Sequence, residues 1–187
     1  MTIHAFIEEV REALRTAFTE VDSWFEKGEE LRAFRPPSGG WTIDEVLEHI
    51  SLTSHYLLII IDRAAEKAQK RAGTADLKTV AEASMPQRDR LTEVGVHRSF
   101  PWIRPEHMEP TGVRTSEEVR GLLQDQLRRC LGHLEAMRNG EGLLVRTTMT
   151  VNELGKLDVY EYLMFLAQHA HRHVEQLRRN EAQYRSQ

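Results

Sequence analysis

The sequence predicts an all-α protein, a four-helix bundle with long crossover connections, on three observations. Four long segments place apolar residues at alternating steps of three and four, the period of a helix that buries one face. Three of them open on a capping pair, an N-cap Thr or Asp with Glu three residues on: Thr42 with Glu45, Thr115 with Glu118 and Asp158 with Glu161. Between the segments lie a breaker cluster, "FRPPSGG" at 34–40, and a poorly periodic stretch from 72 to 114.

The first helix is expected over residues 2 to 27, where Ile3, Ile7, Val10, Leu14, Ala17, Val21 and Trp24 form the inward stripe and Phe6, Phe18 and Phe25 widen it. The second runs from Thr42 to about Arg71, with Trp41 placed to staple onto Val46. Its inward stripe is Val46, His49 or Ile50, Thr53, Leu57 and Ile60, so a histidine interrupts an apolar seam. Residues 72 to 114 are expected to form a short helix near 76–83 and otherwise a loop packed by Phe100, Trp102 and Ile103. The third helix starts near Thr115 and ends near Asn139 and Gly140, with Val119, Leu122, Leu123, Leu127, Cys130, Leu131, Leu134 and Met137 as a broad apolar stripe. "LLVRTTMTV" at 143–151 is β-branched enough for an extended crossover. The last helix begins at "LDVYEYL", where Leu157 can staple onto Tyr162, and continues through Val159, Leu163, Leu166, Ala170, His173 and Leu177. The long second-to-third connection leaves room for a parallel crossover.

Composition narrows the function classes. At 187 residues and 40% hydrophobic, the chain suits one domain over residues 1–187. A net charge of −4 with acids and bases interspersed excludes a nucleic-acid partner. The longest apolar run, "YLLIII" at 56–61, is far short of the roughly 20 residues that cross a bilayer, so no membrane is expected. The N-terminal stretch has acids inside its apolar pattern and no signal-peptide core, and the expectation is a soluble cytoplasmic protein. Cys130, the single cysteine, allows neither an internal disulfide nor a cysteine metal cage and reads as a small core residue.

The chemistry, if there is any, lies in "FLAQHAHRHVEQLRR" at 165–179. His169 and His173 are four apart and share a helix face, with Cβ atoms about 5–6 Å apart, close enough for one ion. His171 lies roughly 200° around the helix and points outward. A buried imidazole needs partners, since each unpaired polar group costs about 1–3 kcal/mol. Three inward rings, His49, His169 and His173, are satisfied by one divalent ion, or else by separate hydrogen bonds: a tyrosine or backbone carbonyl for His49 and an open polar patch for the pair. Gln176, one turn past His173, orients a ligand or closes a core hydrogen bond. The zinc-protease pattern H-E-x-x-H is absent because Ala170 stands where it needs glutamate. Glu45, one turn before His49, is assigned to its capping box over a catalytic role, so no general base is named.

Together these residues resemble the DinB/YfiT-like superfamily of metal-binding four-helix bundles. The resemblance rests on "GGWTIDEVLEHI", with Trp41 and His49, on the lead-in "LGKLDVYEYLMF", and on His169, His173 and Gln176 in "HAHRHVEQL". It implies a divalent metal ion, zinc or nickel, held by His49, His169 and His173; His55 and His171 match no ligand position. It implies a metal-dependent thiol transferase or hydrolase acting on a small-molecule substrate, with a low-molecular-weight thiol such as bacillithiol, mycothiol or glutathione as co-substrate. The alternative is a non-catalytic metal- or ligand-binding bundle acting as a homodimer in a stress response.

Overall fold

The computed structural model describes residues 2–186 other than 38, 98 and 102–104, and among these seven α-helices form. They are α1 (Ile3–Ser23), α2 (Glu29–Ala33), α3 (Ile43–Ala72), α4 (Leu77–Ala83), α5 (Arg88–Gly95), α6 (Ser116–Ala136) and α7 (Val159–Arg185). Local chemistry explains where the long ones begin. Thr42, Thr115 and Asp158 each accept from the backbone N–H three residues on, and Glu45, Glu118 and Glu161 reach back to the cap N–H. Thr2 caps α1 by accepting from the N–H of Ala5.

Side-chain pairs between helices set their directions. α1 runs antiparallel to α6, since Arg11 lies beside Glu135 while Asp22 accepts two hydrogen bonds from Arg120. α3 runs parallel to α6, with Ser116 on Asp44 at one end and His133 on Asp62 further along. α7 is antiparallel to α3, because Asn180 donates to the carbonyl of Trp41, and parallel to α1, because Arg178 pairs with Glu20 and Glu181 with Lys27. α1 and α3 each pack against both α6 and α7, which closes an up-down-down-up four-helix bundle. The connection from α3 to α6 is therefore the parallel crossover that its length allowed.

The core follows the stripes. Phe6, Leu14, Ile43, Leu47, Ile50, Leu58, Ile61 and Leu134 are fully enclosed, and every member of the last helix's apolar stripe is buried except His173, which is half-buried. Ile3 is also only half-buried, at the end of its stripe.

Three expectations need correction. The first helix stops at Ser23, passes through a 3-10 turn at Trp24–Glu26, and is followed by the unforeseen α2. The crossover holds a second helix, α5, which packs on α7 through Leu91 and Val94; two buried apolar side chains in one turn, with Gly95 beside them, make too short a stripe to register as a period. "LLVRTTMTV" is not one extended stretch: a 3-10 turn at Glu141–Leu144 precedes β1 (Thr147–Met149), which pairs antiparallel with β2 (Gly155–Leu157). In the intervening turn Asn152 and Glu153 take left-handed φ of 47° and 51°, and Arg90 Nη2 donates to both of their carbonyls, at 2.8 and 2.6 Å. Trp102 and Ile103, expected to pack the loop, lie outside the described residues. Phe100 is half-buried against the core.

Glu161 ties the crossover to the start of α7. Fully buried, it accepts from the N–H groups of Asp158 and Gln87 and from Arg146, at 2.9–3.0 Å. Burial, with the Glu161 charge beside it, pushes the Asp158 carboxyl up to about 7.

Candidate metal centre

Because α3 and α7 run antiparallel, the seventh residue of α3 faces the middle of α7. The rings of His49, His169 and His173 meet there, with centroids 4.5 Å apart for the α7 pair and 4.8 and 5.3 Å from His49 to His173 and His169. One nitrogen from each ring can be chosen so that all three lie within 4.8 Å of one another. Nε2 of His173 and Nε2 of His169 are 3.2 Å apart. A tetrahedral ion with metal–nitrogen bonds of about 2.0–2.1 Å separates its ligand nitrogens by roughly 3.3 Å.

Two neighbours fix which nitrogen faces the shared point. The Nδ1 of His49 donates to the carbonyl of Met108 at 2.7 Å, and the Nδ1 of His173 donates to Oε1 of Gln176 at 3.0 Å. A ring that gives its Nδ1 proton away presents the Nε2 lone pair, the arrangement typical of histidine ligands and their supporting partners. Trp41 lies against the His49 ring at 4.7 Å and Phe165 stacks on His169 at 6.4 Å, so aromatic surface backs two of the three rings.

The electrostatics favour neutral rings. His49 and His169 are 5% and 2% exposed and His173 is half-buried, and all three border a pocket. Burial pushes the His169 imidazolium well below its ordinary range, helped by the neighbouring His173, His49 and Arg172. Burial likewise brings His173 down to about 3, with His49 adding repulsion and the Gln176 bond opposing it. Neutral imidazoles with lone pairs aimed at one point are the donor set a divalent ion requires, and these residues could hold one.

A pocket of about 570 Å³ opens beside the three rings. Leu57, Met149, Phe165 and Tyr162 form part of its wall, and Tyr162 is anchored by donating to the carbonyl of Thr148 at 2.9 Å. Arg172 stands at its edge.

The other sequence candidates separate cleanly. His55 and His171 are exposed and take no part. Glu45 is occupied by its cap and by Arg35 at 2.6 Å. Cys130 is fully buried, and desolvation pushes its thiol up to about 12. Gln176 does orient a histidine. In the crossover, Trp102 and Arg104 lie outside the described residues, while Met108 and Pro105 line the pocket.

Sequence reasoning missed Glu48. It is 3% exposed, and its carboxylate accepts from the N–H of Thr111 at 3.1 Å, the hydroxyl of Thr111 at 2.7 Å and the N–H of Gly112 at 2.8 Å. Adjacent residues of α3 thus grip the crossover at Met108 and at Thr111–Gly112. The available signal was no more than an acid beside His49 in the sequence, on a helix face shared with Asp44, Glu45 and Ser51.

A family model, that of the DinB superfamily, matches residues 7–177. No curated protein and no solved structure matches the chain.

Proposed function

This chain belongs to the DinB superfamily, and from that premise we propose that it holds one divalent cation, zinc or nickel, on His49, His169 and His173 and uses it against a small-molecule substrate. The observation that carries the reading is the convergence of three imidazoles from two helices, two of them oriented by Met108 and Gln176, beside an open pocket. When bound, such an ion lowers the pKa of a water or thiol towards neutrality and polarises an electrophile.

The chain's own residues supply the rest. The Met108 carbonyl and the Gln176 amide hold two rings in the ligating tautomer. Trp41 and Phe165 keep water from the backs of the rings. The pocket seats the substrate on the side that the three ligands leave open. The protein contributes no thiol of its own, since Cys130 is enclosed and held in its protonated form. A low-molecular-weight thiol as co-substrate of a transferase fits that arrangement, and so does the water of a hydrolase. Among the described residues no helix is long and apolar enough to cross a membrane, and we place the protein in the cytoplasm as one domain.

A second reading has its own support. Among its described lining residues the pocket holds no carboxylate to act as a general base, which suits a non-catalytic metal- or ligand-binding bundle working as a homodimer in a stress response.

Elemental analysis of protein reconstituted with zinc or nickel tests the metal: we expect one ion per chain, and a large loss of it in His49→Ala. A content near zero in the unaltered protein overturns the metal in both readings and leaves only a ligand-binding bundle. Turnover of 1-chloro-2,4-dinitrobenzene and related electrophiles by the loaded protein, with each low-molecular-weight thiol in turn, separates the transferase from the binding bundle.

A further inference from the structure

We propose that the pocket beside the three histidines takes an amphipathic anion, an apolar body ending in a carboxylate or sulfonate, and that Arg172 is the residue that receives the acid group. The proposal rests on this pocket being the substrate site of the reading above, and it names the substrate class.

Charge distribution is the first argument. The chain carries 29 acidic residues and a net charge of −4, yet among the described residues lining the pocket there is no Asp or Glu. The same lining contains one permanent cation, Arg172. A concave site lined by one sign of charge, within a protein of the opposite sign, focuses its field on ligands that complement it.

The placement of the guanidinium is the second. Arg172 sits on α7 next to His173 and one turn beyond His169, so its head group and the three rings border the same space. Its Nη1 donates to the carbonyl of Val96 at 2.5 Å, and its Cζ lies 5.7 Å from the centre of the Phe100 ring. A carbonyl and an aromatic face steady the fork. A planar guanidinium held in one orientation is suited to bidentate capture of a carboxylate or sulfonate.

The remaining wall supplies the other half of the ligand's description. Trp41, Leu57, Ile60, Met149, Val151 and Phe165 present apolar surface, and a volume of about 570 Å³ admits a small organic molecule. An acid group at Arg172 leaves the apolar body against these side chains and the reacting centre near the imidazoles.

Two fluorescent probes of one skeleton test this: 8-anilinonaphthalene-1-sulfonate, and N-phenyl-1-naphthylamine, which lacks the sulfonate. Both are titrated into the full chain after metal removal. The unaltered protein is expected to bind the sulfonate at least about tenfold more tightly, the scale of one charge-assisted contact. Arg172→Gln should bring the two affinities within about twofold, and Arg172→Lys should retain part of the preference. Ile60→Trp, which narrows the pocket, should weaken both probes. Equal binding by the unaltered protein, a preference that survives Arg172→Gln, or indifference to Ile60→Trp each overturns the proposal. Zinc content measured in parallel keeps the two failures apart: a protein that selects the sulfonate but takes up no zinc refutes the metal and leaves the anion site standing.

Discussion

His49 acts in two directions. One nitrogen holds the carbonyl of Met108 in the crossover, and the other side of the ring meets His169 and His173. Gln176 does the equivalent for His173 on its own helix. Removing such a supporting partner usually lowers metal affinity by 10- to 100-fold. Gln176→Leu should show a loss of about that size in competition with a chromophoric chelator while zinc stoichiometry stays at one; an unchanged affinity would mean the amide merely fills space. The depressed acidities of His169 and His173 carry a pH dependence in the metal-free protein. Unfolded, both rings take protons near 6.5, whereas folded they stay neutral to far lower pH, to about 3 for His173. Between those values the unfolded chain binds more protons, so folding stability is complete above about 6.5 and falls as the solution is acidified. Urea midpoints measured from pH 8 to pH 4.5 should decline through that window, and a flat profile speaks against neutral buried rings. At this scale the sequence was informative about donors and silent about supports. A spacing of four residues and a histidine in an apolar seam are local patterns, but Met108 is a backbone partner 59 positions from His49 and leaves no mark on composition.

Among the elements, those with a covalently local cause were legible. All three capping boxes written in the sequence are present with both hydrogen bonds, and the long helices start within a residue of where they point. α5 escaped because only Leu91, Val94 and Gly95 of its eight residues are buried. The two-stranded sheet escaped because each strand has three residues and is held in part by Arg90 from the crossover. The turn after α6 shows how tight such junctions are. Gly142 donates its N–H to the hydroxyl of Tyr160 at 3.1 Å, and that hydroxyl donates to the carbonyl of Met137. A Cβ at Gly142 would stand 2.8 Å from the Tyr160 ring, which is fully buried and has nowhere to go. Gly142→Ala should therefore cost about 1–3 kcal/mol in urea unfolding. It lies at the end of the bundle where α7 begins, away from the histidines, so zinc content should be unaffected.

Across the whole molecule, an apolar stripe says that a helix is buried and nothing about which way it runs, so direction had to come from ion pairs and caps between helices. The long crossover from α3 to α6 makes those two helices parallel and leaves α7 to lie antiparallel beside α3, which is the relation that unites the histidines. The three rings are joined by proximity alone across some 120 positions of chain. Closing so large a loop comes late when a chain assembles, after local helices have formed. A cation that bridges its two ends therefore acts on how long the native state lasts more than on how quickly it is reached. At a free zinc concentration of about 100 times the dissociation constant, the added stability is about 2.7 kcal/mol. In stopped-flow mixing with denaturant nearly all of it should emerge as an unfolding rate about 100-fold slower, with the refolding rate unaltered; faster refolding would mean that α3 and α7 meet early.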